Sequence, residues 1–284
     1  MSNFWQRLIF GIIYVAALVG CVLWCKYSFL ILGVVATGFM TGEFLRITMG
    51  TRYRYSQILT ILAAVLTFAL AWAVRAYPGL IHGKAAFLAF IPVMVVMVNS
   101  LYQKDKSSFG EFANIYTSLL YIAVPMASMN FLVMDNSGEY SGWVMIMFFL
   151  LIWASDVGAY VFGITLGQKF GKKLFPEISP KKSWIGFWGG LFCTIAVCLA
   201  LHFTGVCAYV GLEKMTWYHA ILLAIVIDVA GVYGDLFESQ WKRYYAVKDS
   251  GTAIPGHGGF LDRLDSTLFA VPAGVIYLTI FNLF

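Results

Sequence analysis

Charge is what this sequence has least of. Asp, Glu, Lys and Arg make up 12% of its 284 residues, against about 25% in a soluble domain. With 61% apolar residues the chain cannot cover a water-facing surface, so a soluble globular protein is excluded. Cysteine is scarce too. Cys21, Cys25, Cys193, Cys198 and Cys207 are odd in number, form no C-x-x-C pair and sit in or beside apolar runs. They read as small buried residues, not as a disulfide frame. No Cys/His cluster suits zinc. Internal repeats, low-complexity linkers and long polar domains are also missing, so any chemistry must use membrane spans and the loops between them. Leu18-Val19-Gly20-Cys21 resembles a lipoprotein cleavage box, but the apolar run continues through Val22, Leu23 and Trp24, which favours an uncleaved first span.

What is present is a series of apolar runs. Crossing roughly 30 Å of hydrocarbon takes about 20 residues. Nine such runs lie near 8–25, 27–45, 58–76, 85–102, 115–133, 142–166, 185–204, 218–238 and 267–284. The fold class is therefore all-α: a polytopic membrane protein of about nine transmembrane helices. With a cytoplasmic N-terminus, 15 of the 19 Lys and Arg residues fall on the cytoplasmic side, and Lys26, Arg75, Lys84 and Lys214 on the other. That is the positive-inside bias. The net charge of +5 thus reflects topology; it points to no nucleic acid, while basic loops suit an anionic lipid surface.

The chain has two contrasting parts. Residues 1–140 form N-terminal spans with short loops. Glu43 is the only acid inside a span there, near a cytoplasmic end, and reads as a snorkelling or interface residue. Residues 141–284 form a C-terminal region with two cytoplasmic loops, 167–184 and 239–266, and acids enter its apolar runs at Asp156, Asp228, Asp235 and Glu238. Charges in a bilayer core cost several kcal/mol or more unless paired or hydrated, so they mark functional cavities by default.

At about 100° per residue, Asp228, Asp235, Glu238, Ser239, Lys242 and Arg243 share one side of a helix continued through Arg243. A glycine-rich stretch follows, with Gly256, Gly258 and Gly259 flanked by Asp249, Asp262 and Asp265 and by Lys248, His257 and Arg263. Glycines let the backbone approach a ligand closely. Asp262 and Asp265 are one helical turn apart. Paired carboxylates opposite Asp235 suit a hard divalent cation such as Mg²⁺, which takes oxygen ligands and holds substrate phosphates. His257 either contacts phosphate or anchors the loop. Gly163, Gly167 and Gly171, at intervals of four, suit close helix packing.

At these residues the sequence resembles the phosphatidate cytidylyltransferases, or CDP-diacylglycerol synthases. The pattern Ser239, Lys242-Arg243, Lys248-Asp249, Pro255-Gly256-His257-Gly258-Gly259, Asp262-Arg263-Leu264-Asp265 is in step throughout. A second block agrees: Asp156, Ala159-Tyr160, Gly163, Gly167 and Ile178-Ser179-Pro180-Lys181-Lys182-Ser183. One position departs. Where many members have Glu before Gly186, this chain has Ile185, which puts any role for that carboxylate in doubt.

The resemblance implies transfer of the cytidylyl group from CTP to phosphatidic acid, with release of pyrophosphate, by a homodimer of nine-span chains. It implies Asp235, Asp262 and Asp265 as metal ligands for Mg²⁺, with a two-ion site as an option. Lys242, Arg243, Lys248 and Arg263 would hold phosphates. Ser239 would bond a phosphate or a metal-bound water. Lys181 and Lys182 would attract CTP or the lipid headgroup, and Gly258 and Gly259 would approach substrate. Asp156 and Tyr160 would line the substrate site; Asp249 is either a further ligand or the partner of Lys248. The expected location is a bacterial plasma membrane with the site facing the cytoplasm. A transporter or ion channel is the rival reading, but the charges cluster at one face and leave no polar trail through the first half. Among enzymes, the alternatives are a synthase acting on an archaeal ether lipid and another CTP-dependent lipid enzyme.

Overall fold

Lipid offers no partner to a backbone N–H or C=O, so an apolar run that crosses it must satisfy those groups internally, as an α-helix does. The computed structural model describes residues 3–102, 110–167, 171–253 and 258–284; Lys104, Lys106, Lys169 and His257 lie outside them. Among the described residues nine long helices follow the predicted spans one for one. They are α1 (Asn3–Trp24), α2 (Lys26–Met49), α3 (Arg54–Ala76), α4 (Gly83–Leu101), α5 (Gly110–Val133), α6 (Trp143–Gly167), α7 (Trp184–Phe203), α8 (Trp217–Tyr244) and α9 (Leu261–Ile280). Eight are long and apolar enough to cross a membrane, and α1 is apolar over the shorter stretch Ile9–Trp24. Large apolar side chains such as Ile12, Ile31, Ile58 and Phe192 stay exposed, as lipid-facing residues do. The chain is an integral membrane protein.

Two compact units divide the chain: Met1–Gly142 with Val247–Arg263, and Trp143–Ala246 with Leu264–Phe284. In the first unit, α2 and α3 meet closely because Gly33 has no side chain. A Cβ there would sit 1.9 Å from the Phe68 ring, which also packs on Phe29 at 5.7 Å between centroids. The indole N–H of Trp72 donates to the Lys26 carbonyl at 3.0 Å, and the Tyr140 hydroxyl donates to the carbonyl of Val22.

In the second unit α6 and α7 cross backbone to backbone. A Cβ on Gly158 would lie 2.8 Å from the Gly189 carbonyl, one on Gly186 2.9 Å from that of Ala159, and one on Gly190 2.9 Å from that of Ser155. The packing reading of the spaced glycines holds at Gly167, whose Cβ would strike the Ser183 hydroxyl at 2.1 Å. Part of the stretch expected as a basic loop is a hairpin instead: β1 (Lys173–Phe175) pairs antiparallel with β2 (Ser179–Ser183). The ladder occupies backbone groups that would otherwise need water, and Ser183 then caps α7, its hydroxyl accepting the Gly186 N–H at 3.1 Å. α8 runs on through Arg243 to Tyr244, as its polar face predicts. α9 is broken by a turn at Asp265 and Ser266. Irregular backbone at membrane depth is tolerated where it is buried in protein or lines a cavity.

Candidate active site

A cavity of about 440 Å³ opens within the second unit. α6 lines it with Ser155, Asp156, Ala159, Tyr160, Gly163 and Ile164. The hairpin adds Leu174, Lys181, Lys182 and Ser183, α7 adds Gly186 and Phe187, and Val232, Asp235 and Ser266 complete the wall. Five residues predicted from sequence therefore share one cavity: Asp156, Tyr160, Lys181, Lys182 and Asp235. Lys182 Nζ stands 2.7 Å from Asp235 Oδ2, and both side chains are about one-third exposed or less, at 27% and 31%. The Ser239 hydroxyl, one turn along α8, donates to Asp235 Oδ1 at 3.2 Å. Both oxygens of Asp235 are thereby oriented. Asp265, at the break in α9, interacts electrostatically with Asp235, Asp156 and Lys242.

The rest of the α8 face divides into separate tasks. Lys242 pairs with buried Glu238 at 2.7 Å. Exposed Arg243 donates through Nε to the Ile178 carbonyl at 3.4 Å, which ties α8 to the approach of β2. Asp228 is buried and accepts from Ser155 Oγ at 2.6 Å and Thr194 Oγ1 at 3.3 Å. It joins α6, α7 and α8 and is not one of the residues lining the cavity. Ile185, at the departing position, does not line it either.

In the first unit, two carboxylates hold the described ends of the glycine-rich stretch, Ser250 and residues 259–261. Asp262 Oδ2 accepts from the backbone N–H groups of Ser250 and Gly259, each at 2.8 Å, and lies 3.0 Å from the Ser250 hydroxyl. The second carboxylate is Glu43. Its Oε1 accepts from Phe260 N at 3.1 Å; its Oε2 accepts from Leu261 N at 3.0 Å and from the Ser250 hydroxyl at 3.0 Å. The expected snorkelling role is thus corrected: Glu43 is 4% exposed. Two peptide N–H groups and a hydroxyl compensate a carboxylate that its short side chain cannot lift to water. Gly258 has φ +88°, and a Cβ there would meet Asp262 Oδ2 at 2.7 Å; one on Gly259 would meet Ser250 Oγ at 2.2 Å and Glu43 Oε2 at 2.4 Å. These glycines permit close approach to the chain's own carboxylates. Lys248, Asp249 and Arg263 are exposed, and His257 lies outside the described residues.

Sequence reasoning missed Glu43, Ser250, Ser155 and Ser266. The only available signal for Glu43 was its solitude as an acid within the N-terminal spans. As to metal, no group of three or more His, Cys, Asp or Glu side chains stands ready to hold an ion among the described residues. Mg²⁺ does not need such a cage. It keeps waters and is commonly held by one or two carboxylates together with substrate phosphates. Asp235, a hard oxygen donor on the cavity wall, fits that mode; Asp265, whose Oδ1 accepts the Ser266 N–H at 2.6 Å, is not among the residues that line the cavity.

Comparison with known proteins bears on the reaction. Residues 5–281 match the model of the cytidylyltransferase family. A phosphatidate cytidylyltransferase of Staphylococcus epidermidis is 34% identical over 213 residues, covering 69% of this chain and 76% of that protein. The enzyme of the same name from Staphylococcus aureus strain COL is 35% identical over 215 residues, with the same two coverages.

Proposed function

Because this chain belongs to the cytidylyltransferase family, we propose that it transfers the cytidylyl group of CTP to phosphatidic acid, giving CDP-diacylglycerol and pyrophosphate for phospholipid synthesis. An oxygen of the phosphatidate phosphate forms a bond to the α-phosphorus of CTP. The bond from that phosphorus to the bridging oxygen breaks, and pyrophosphate leaves with the electron pair. A phosphomonoester has its second pKa near 6, so the nucleophile is ionised at neutral pH and needs no strong base. The main barrier is the repulsion between two polyanions.

The cavity supports this reading through the division of its wall. Lys181, Lys182, Asp156 and Asp235 form a charged part, while Ile164, Leu174, Phe187 and Val232 form an apolar part. A substrate with a phosphate head and acyl chains needs both. Lys181 and Lys182 attract phosphate. Tyr160 and Asp156 line the substrate, and Ser239 fixes the orientation of Asp235. Lys242, Arg243, Lys248 and Arg263 supply further positive charge for phosphates. Mg²⁺, when bound, neutralises developing charge on the phosphate oxygens; Asp235 and Asp265 are the residues proposed to hold it. The sequence pattern also assigns Asp262, whose Oδ2 orders the glycine-rich stretch.

The reading extends to a homodimer in the plasma membrane of a bacterium, with its basic loops and site on the cytoplasmic side. The bacterial origin of the relatives and the positive-inside distribution support the location and orientation. The test supplies purified protein with phosphatidic acid, Mg²⁺ and CTP labelled at either the α- or the γ-phosphate. Label should enter lipid from the α position and pyrophosphate from the γ position. Absence of labelled lipid with any divalent metal would overturn the proposal.

A further inference from the structure

The N-terminal helices have no assigned part in the reaction, yet α2 grips the glycine-rich stretch. Phe39 and Glu43 are four residues apart, so they share a face of α2, and both reach residue 260. The rings of Phe39 and Phe260 stack at 5.3 Å between centroids and 23° between planes. The Glu43 carboxylate takes the N–H groups of Phe260 and Leu261 and the Ser250 hydroxyl. Ser250 and Leu261 are eleven positions apart in sequence, so one buried side chain joins the two ends of the stretch. Ser250 links this anchor to Asp262. Its hydroxyl stands 3.0 Å from Glu43 Oε2 and 3.0 Å from Asp262 Oδ2, while its N–H donates to the same Asp262 oxygen at 2.8 Å. One hydroxyl proton thus serves two acceptors and ties their positions together. Gly251 and Gly259 leave room for the arrangement, since a Cβ on either would lie 2.5 Å or less from a Glu43 oxygen.

We infer that Glu43 is a positioning residue for the transfer reaction: it sets the place of Asp262 and Arg263 through Ser250 and the amides of Phe260 and Leu261. A structural anchor elsewhere in α2 would stabilise the bundle. Glu43 instead spends each of its observed hydrogen bonds on the stretch that carries the family pattern. Its side chain touches no substrate in this scheme and acts only through what it holds. The catalytic part of the inference rests on the proposed activity; the geometric part does not.

The test uses the full-length protein in lipid nanodiscs, with hydrogen exchange and steady-state kinetics on wild type, Glu43→Gln and Glu43→Ala. Glu43→Ala should speed exchange at Ser250 and at Gly259–Leu261 at least about tenfold, with peptides from α3, α6 and α7 unchanged. Turnover should fall by about a hundredfold, the scale of a 1 Å misplacement. Glu43→Gln keeps one carbonyl acceptor and should recover part of both properties. Wild-type protection at 259–261 in Glu43→Ala would overturn the inference, as would normal turnover with lost protection. Faster exchange throughout the protein would show a general folding role and would overturn it as well. A wild type that protects these amides through Glu43 but makes no CDP-diacylglycerol would sink the proposed activity and leave the anchor standing.

Discussion

Two sets of carboxylates in this protein meet opposite fates. Glu43 and Asp262, in the first unit, receive backbone N–H groups and a serine hydroxyl. Asp235 and Asp156, in the second, line an open cavity beside two lysines. The first set folds the chain around itself. The second presents charge to whatever enters. An acid within an apolar span therefore does not by itself mark chemistry; what its oxygens face decides the matter. Asp228 makes the same point inside the second unit, where two hydroxyls hold it between three helices.

The largest effect expected from this contrast is at Asp235. Asp235→Asn keeps the shape but removes the charge that balances Lys182, and turnover should fall by about a thousandfold, at the upper end for removing one electrostatic group from an active site. Asp265→Asn should act likewise, with expression and folding retained; near-normal turnover in either variant would end its assignment as a metal ligand. Asp262→Asn should differ in kind, with faster amide exchange at Ser250 and Gly259 accompanying its loss of activity. If Asp262→Asn left exchange unchanged, the two sets would no longer be distinct.

Lys182→Met should reduce kcat/KM by at least about tenfold, since it removes one charged contact to phosphate, whereas Lys181→Met, at a more exposed position, should cost less. Equal losses would show that the contact with Asp235 has no special role. Gly190→Ala, which brings a Cβ within 2.9 Å of the Ser155 carbonyl, should lower thermal stability by about 1–3 kcal/mol, read as a lower Tm in nanodiscs. An unchanged Tm would mean α6 and α7 can separate freely. The smallest effect is expected at Ile185→Glu. The residue does not line the cavity, so activity should stay within about threefold, the usual scatter of such contributions; a large gain would show that the missing acid matters.

Much of this was legible in the sequence for definite reasons. Apolar runs of span length located all nine long helices among the described residues. The polar face from Asp228 to Arg243 required α8 to continue to Tyr244, whereas the crossing of α6 with α7 is made by Gly158, Gly186 and Gly190, not by the glycines spaced at intervals of four. Asp156, Tyr160, Lys181 and Lys182 come from one motif block and Asp235 from the acidic face of α8, and all five line the cavity. Glu43 was not legible. Its partners lie more than two hundred positions away, at separations of 207 to 218 residues, and no local pattern encodes such a contact. The hairpin at 173–183 was hidden for a different reason. Its strands are three and five residues long, too short for alternation to show.

The most direct measurement is transfer of α-phosphate label from CTP to phosphatidic acid, in Mg²⁺, by wild type and Asp235→Asn side by side. The expected result is labelled CDP-diacylglycerol from wild type and almost none from the variant, with matching Tm values. Equal product from both proteins, or none from wild type, would contradict the assignment of this cavity to the reaction.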